Sequence, residues 1–258
     1  AFSFVRMGVD GIPNTLDIWK NGQLNYDLIT EFSAVDYSFM FSYAQKLLKD
    51  GLSFGGTAKI IRRKAGEFAS AWGFGIDAGL QYKLENKWRF ALVARDVTST
   101  FNAWNFTFTD AQKDVLTQQN QEIPKNSLEI TLPRLILGAA KRIDFGDDYS
   151  FDAELNADLT TDGRRNTVLK TDVVSVDPHL GIQFGYADLV FLRGGVGNIQ
   201  KVTDIDNKEL WSFQPNIGVG VNLDKFAIDY AMANVASTAA TNYSHVFSIR
   251  FKFNSTDD

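Results

Sequence analysis

The 258-residue chain has no cysteine, only two histidines and five prolines, and no run of about 18 apolar residues. Each shortage excludes something. Without cysteine there is neither a disulfide framework nor thiolate chemistry. Without a long apolar run, a helical membrane protein is argued against. No His-x-x-x-His pair occurs, and the acids Asp152, Glu154 and Asp158 lie along one strand-like stretch rather than in a compact loop, so no metal is expected. The glycines recur at two-residue spacing inside strand-like stretches and form no phosphate-cradling loop, so no other cofactor is expected either. A net charge of -5 argues against a nucleic-acid partner, which would want a basic surface. The opening Ala1-Phe2-Ser3-Phe4 reads as strand-like residues and not as a secretory leader. The expectation is a fragment whose N-terminal part is lacking. No linker interrupts the pattern, so one domain over 1–258 is expected.

What is present is a series of about twelve alternating apolar and polar stretches. The joints at 49–51, 85–87, 145–148, 187–188 and 223–225 are short and rich in Gly, Asp and Asn, as tight hairpins require. Those at 9–35, 62–69, 98–127, 161–175, 200–210 and 234–243 are long. Short and long joints alternate, which predicts an all-β, antiparallel, up-and-down transmembrane β-barrel in a bacterial outer membrane, with turns periplasmic and loops extracellular.

Alternation divides most stretches into two faces. In 70–84, Trp72, Phe74, Ile76, Ala78, Leu80, Tyr82 and Leu84 oppose Gly73, Gly75, Asp77, Gly79, Gln81 and Lys83. In 149–160, Tyr149, Phe151, Ala153, Leu155, Ala157 and Leu159 oppose Asp152, Glu154, Asn156 and Asp158. In 211–223, Trp211, Phe213, Pro215, Ile217, Val219, Val221 and Leu223 oppose Gln214, Asn216, Gly218, Gly220 and Asn222. The apolar sets avoid Arg and Lys, which would each cost about 2 to 4 kcal/mol at a bilayer midplane. Two stretches are less regular: 128–142 changes phase near Pro133-Arg134, as a bulge would cause, and 1–8 fits either face. Tyr82, Trp88, Tyr149 and Tyr186 stand beside short joints, Trp72 and Trp211 beside long ones, which predicts two interfacial girdles.

Several segments resemble the PorV/PorQ family of outer-membrane proteins: 6–15 (RMGVDGIPNT), Asp36-Tyr37 leading to Phe41-Ser42-Tyr43-Ala44, 53–59 (SFGGTAK), 71–80 (AWGFGIDAGL), and Asp229-Tyr230-Ala231 followed by His245 and a closing strand to Phe253. The likeness covers most of the chain and rests on turn residues and lipid-facing aromatics. It implies a FadL-like barrel of about fourteen strands, an N-terminal region before Ala1, and a place in type IX secretion in Bacteroidetes. The implied function is non-enzymatic: binding or shuttling exported proteins, or partnering a translocon, with secreted proteins, other secretion subunits and outer-membrane lipid as partners. A FadL-like transporter of small hydrophobic molecules is the alternative.

Candidate residues fall into two groups. Phe101, Trp104, Phe106 and Phe108 crowd the longest joint, more aromatics than a solvated loop needs; they extend the adjacent strands, fold over a barrel mouth, or dock a partner. On the polar face stand Lys59, Asp77, Arg95, Asp152, Glu154, Asp158, Asp177, His179 and Arg193, with Asp152, Glu154 and Asp158 expected to pair with inward bases such as Lys59, Arg95 or Arg193. Asp177 and His179 share that face, and such a pair can activate a water or hydroxyl, but a polar lumen pair is the plainer reading because no nucleophile accompanies them. Arg62-Arg63-Lys64 is read as a solvated loop tip, and His245 as a girdle histidine.

Overall fold

The computed structural model describes residues 1–16, 18–20, 23–47, 51–118, 120–163, 165–203, 207–234 and 243–251. In chain order the strands are β1 (Phe2–Asn14), β2 (Trp19–Lys20), β3 (Gln23–Leu24), β4 (Thr30–Lys46), β5 (Leu52–Ala65), β6 (Ala69–Lys83), β7 (Trp88–Arg95), β8 (Thr100–Phe106) and β9 (Ser127–Thr131). They continue with β10 (Arg134–Phe145), β11 (Tyr149–Thr160), β12 (Leu169–Lys170), β13 (Ser175–Tyr186), β14 (Val190–Thr203), β15 (Glu209–Asn222), β16 (Phe226–Ala233) and β17 (Ser244–Phe251). One α-helix, α1 (Asp110–Gln118), joins β8 to β9. Among the described residues, fourteen strands reach five residues, against the twelve expected.

The chain divides into two compact units. Unit 1 comprises Ala1–Gln45, Gly55–Ala78 and Arg95–Pro133; unit 2 comprises Lys46–Phe54, Gly79–Ala94 and Arg134–Asp258. In unit 1, β1 pairs antiparallel with β4, β8 pairs with the first half of β6, and β9 pairs with β8. In unit 2 the order is β7-β10-β11-β13-β14-β15-β16-β17, with β12 added to β13. From β10 to β17 neighbouring strands pair antiparallel, so each follows its neighbour up and down.

Several joints are shorter than the sequence pattern indicates, because strands run on past their apolar stretches. β1 continues to Asn14 through a register shift between Val9 and Ile12, where Gly11 takes φ 71°. β5 continues to Ala65, so the joint expected at 62–69 contracts to 66–68, with Gly66 at φ 53° supplying the left-handed turn residue. The strict alternation of short and long joints fails there, and Arg62, Arg63 and Lys64 lie in a strand rather than at a tip. β14 reaches Thr203 after a register shift between Gly197 and Gln200. The stretch 128–142 is two strands, not one. Leu128 and Ile130 are exposed on the apolar face of β9, Leu137 and Ile143 on that of β10, so the phase switches across Pro133, whose missing N–H cannot join a ladder. Residues 49 and 50 of one expected turn, most of the 234–243 joint and Phe253 lie outside the described residues.

The two faces of each strand separate as the pleat dictates. Cross-strand apolar pairs run in register through unit 2, including Leu155 with Leu180, Phe151 with Phe184, Leu192 with Val219 and Tyr230 with Phe247. Most of these side chains are exposed, Leu155 at 55%, Leu192 at 60% and Phe247 at 75%. The buried residues are instead small or polar, among them Ala71, Ala140, Thr100, Asn102 and Ser175. A water-soluble domain buries its largest apolar side chains; here they form the outer surface. The ten residue steps from Trp211 to Val221 on β15 span about 33 Å at about 3.3 Å each. A tilt of about 40° sets them across about 25 Å, the height of an apolar membrane band.

Cations accompany the tryptophans at the ends of this face. Arg62 lies 5.0 Å over Trp72, Lys141 5.1 Å over Trp88 and Lys201 5.5 Å over Trp211. Long stems let these charges leave the apolar band while the rings hold them at its border. His245 shares the apolar face, its Nδ1 2.8 Å from the Tyr230 hydroxyl.

Candidate functional site

On the polar face of unit 1, Lys59 of β5 reaches Asp77 of β6 at 2.7 Å and Asp96 at 2.5 Å, with its side chain only 13% exposed. Asp77 also accepts the Asp96 backbone N–H at 2.9 Å, and the Thr100 hydroxyl donates to Asp96. Lys59 therefore sits between two carboxylates in one hydrogen-bonded cluster, and such pairing is how ions tolerate partial burial. Arg95 ends β7 exposed and, among the described residues, forms no ion pair.

Toward the long-joint end of unit 1 the same face becomes aromatic. Trp104 donates its indole N–H to Glu129 Oε2 at 2.7 Å, and Arg63, paired with Glu129 at 3.0 Å and Asp36 at 3.2 Å, lies 5.0 Å over the Trp104 ring. Ring contacts then continue from Trp104 to Phe106 at 6.1 Å, Phe106 to Phe108 at 6.4 Å, Phe108 to Phe68 at 6.1 Å and Phe68 to Phe32 at 5.3 Å. The first half of the expected loop is thus strand β8, and the remainder to β9 carries helix α1. Phe101 separates from the other three candidates: it pairs with Phe74 and Ile130 on the apolar face and is 41% exposed there. Phe32, Phe68 and Glu129 are not singled out in the sequence, and Arg63 reads there only as part of a solvated tip, because 9–35 and 62–69 read as loops with no defined face and 128–142 as a stretch of mixed phase.

Unit 2 carries a belt of charged groups across neighbouring strands. Arg89 Nη2 donates to Asp152 Oδ1 at 2.8 Å, and Gln183 Nε2 to Asp152 Oδ2 at 3.3 Å. Arg193 donates from Nε to Gln183 at 2.7 Å and from Nη1 to Asp229 at 2.5 Å; Arg250 stands 3.7 Å from Asp229. The belt crosses β15 at Gly220, where a Cβ would lie 2.9 Å from Arg193 Nη1 and closer still to Asp229 Oδ1. Asp158 pairs with Arg134 at 3.2 Å. Asp152 and Asp158 therefore find Arg89 and Arg134, not the Lys59, Arg95 or Arg193 expected, because those two arginines lie within reach on the same polar surface. Arg89, Gln183 and Asp229 all fall in the polar phase of their strands, so parity alone could have found them.

Asp177 and His179 are together as expected, with His179 Nε2 3.6 Å from Asp177 and 4.0 Å from Asp158. Ser175, the serine closest in sequence, is buried and donates to the Gly163 carbonyl at 3.2 Å, so it is not aligned as a nucleophile.

Beside the belt lies a groove of about 560 Å³, lined by Arg89, Arg142, Asp152, Glu154, His179 and Arg193 among others, with glycines at 181, 194, 195 and 197. A neighbouring hollow of about 180 Å³ shares Arg89, Glu154 and Asn156.

No protein-family model matches the chain, and no curated protein matches it in sequence. Among solved structures it is similar to the CymD monoaromatic hydrocarbon channel, with a TM-score of 0.51 and 13% identity, over 88% of this chain and 72% of that one. At this identity the likeness shows the fold alone: all-β, antiparallel, of the outer-membrane barrel type. In that architecture the apolar face meets lipid and the polar face lines the interior. No helix among the described residues is long and apolar enough to cross a membrane.

Proposed function

We propose that the chain is an outer-membrane channel for small hydrophobic molecules, which meet first the aromatic series at the long-joint end of unit 1. The observation that carries this reading is the run Trp104, Phe106, Phe108, Phe68 and Phe32, rings in series at the loop end of a sheet face that is otherwise polar. Apolar solutes gain about 25 cal/mol for each Å² they withdraw from water, and flat rings offer that area with little side-chain entropy to lose. The fold likeness to a hydrocarbon channel supports the same reading. The long joints would face outward and the tight turns the periplasm; no catalytic step is required. The test is uptake of radiolabelled toluene by cells whose outer membrane carries the protein. Faster uptake than in cells without it is expected, and loss of the advantage in Phe106→Ala/Phe108→Ala; equal rates with and without the protein would remove the proposal.

A second reading is a component of type IX secretion that binds exported proteins or a translocon, as the PorV/PorQ resemblance implies. What favours it is the charged belt of unit 2, a surface of ion pairs that gives an apolar solute nothing to bind. Extraction in mild detergent should then bring secreted or translocon proteins along with the chain. Recovery of the chain alone would count against this reading.

A further inference from the structure

Glu154 stands apart from the acids around it on the polar face of unit 2. Asp152 is held by Arg89, Asp158 by Arg134, and Asp229 by Arg193. Glu154 is exposed, accepts one hydrogen bond from Asn156 Nδ2 at 2.6 Å, and among the described residues has no cation within ion-pair distance. Around it the strands are stripped to glycine: Glu154 is in register with Gly181, Gly181 with Gly195, and Gly195 with Asn216. A Cβ at Gly181 would meet nothing within 4 Å, so open space lies directly beside the carboxylate.

The guanidinium groups of the groove are not equivalent. Arg142 is taken by Asp144 at 2.7 Å and Asp188 at 2.9 Å, and Arg193 by Gln183 and Asp229. Arg89 spends one nitrogen on Asp152, keeps Nε and Nη1 without hydrogen bonds among the described residues, and has a 40% exposed side chain. Arg89 and Glu154 together line both the 560 Å³ groove and the adjoining hollow. A solute bearing only a carboxylate would find donors on Arg89 but repulsion from Glu154. One bearing only an ammonium would find the reverse. A solute bearing both satisfies both, and charge-assisted hydrogen bonds to ions are about twice as strong as neutral ones.

We propose that this groove binds small zwitterions of amino-acid to dipeptide size, their ammonium on Glu154 and their carboxylate on Arg89. The volume lies within the usual range of small-molecule sites, about 300 to 1,000 Å³. The site is independent of the aromatic series in unit 1, so it stands whether or not hydrocarbons pass.

The test is calorimetric titration of the full chain in detergent with alanyl-alanine, with propylamine as the ammonium alone and propionate as the carboxylate alone. Alanyl-alanine should bind at least ten-fold more tightly than either half. Glu154→Gln, which removes the charge but keeps a group able to bond Asn156, should weaken the dipeptide at least ten-fold. Gly181→Leu, built into open space, should abolish its binding while the protein keeps its heat-modifiable mobility. Equal binding of propylamine would make this a cation site and equal binding of propionate an anion site. Either result, no binding of the dipeptide, or binding indifferent to both substitutions would overturn the proposal.

Discussion

The polar faces of the two units start from the same pleat and diverge in chemistry. In unit 1 the face begins with a lysine enclosed by two aspartates and ends in five aromatic rings capped by Arg63 and Glu129. In unit 2 it carries arginines and aspartates bridged across strands, with glycine between them. The difference shows how small residues decide what a β face can hold. Unit 2 uses glycine so that long charged side chains can span a neighbouring strand. Unit 1 carries its strands past the apolar band, where β8 and β9 add rows on which rings can stand.

If this contrast between faces is right, the largest effect should come from reversing it. Ile182→Arg puts a guanidinium in the middle of the apolar set of β13 and should cost about 2 to 4 kcal/mol in an outer-membrane refolding titration. The same substitution at the neighbouring Gln183, on the polar face, should cost far less. Equal losses at the two positions would erase the distinction between faces.

A second comparison separates glycines within unit 2. Gly220→Ala forces a methyl against Arg193 and Asp229 and should cost about 1 to 3 kcal/mol, as overpacking does. Gly181→Ala, with open space around its Cβ, should leave the midpoint almost unchanged. If both behave alike, the passage of the belt over β15 is not what selects glycine there.

Much of this was readable in advance and some was not. Exposed Leu155, Leu180 and Leu192, and polar Asp152, Gln183 and Arg193, follow from alternation alone, since a strand can present its side chains only two ways. The switch at Pro133 was visible too, because a proline without an N–H interrupts the ladder. Strand ends were not visible. Arg62, Arg63 and Lys64 look like a solvated tip, yet all three lie in β5, where Arg62 stands over Trp72 and Arg63 stands over Trp104 and pairs with Glu129, 66 residues away. Contacts of such separation leave no local pattern. Nor does parity say which base meets which acid; Asp152 takes Arg89, 63 residues distant, through side-chain reach.

In unit 1, Trp104→Ala removes a ring stacked on Phe106 and the indole donor to Glu129, and should cost about 1 kcal/mol of stability. Dipeptide binding in unit 2 should not change, since the groove is built from other residues. A shift in both would mean that the two chemistries are not separable.

The smallest effect belongs to the joint between β11 and β13. There Arg165 donates to Asp162 Oδ1 at 2.8 Å and holds the Asp162 carboxyl below its ordinary range. A carboxyl lowered on folding contributes fully above the ordinary carboxylate range and loses that contribution as pH falls through the lowered value. Both side chains are partly solvated, so Asp162→Asn should cost under about 1 kcal/mol at neutral pH and nothing in strong acid. A cost that persisted in acid would point to packing instead of charge.

The absence of cysteine permits the most direct test of the central claim, that one face of every strand meets lipid and the other does not. Single cysteines at Leu180, Gly181, Ile182, Gln183 and Phe184 of β13, spin-labelled in bilayers, report collisions with oxygen, which concentrates in lipid, and with a water-soluble nickel complex. Positions 180, 182 and 184 should favour oxygen, and 181 and 183 the nickel complex, with a period of two. Uniform accessibility along the five positions, or the opposite phase, would contradict the account.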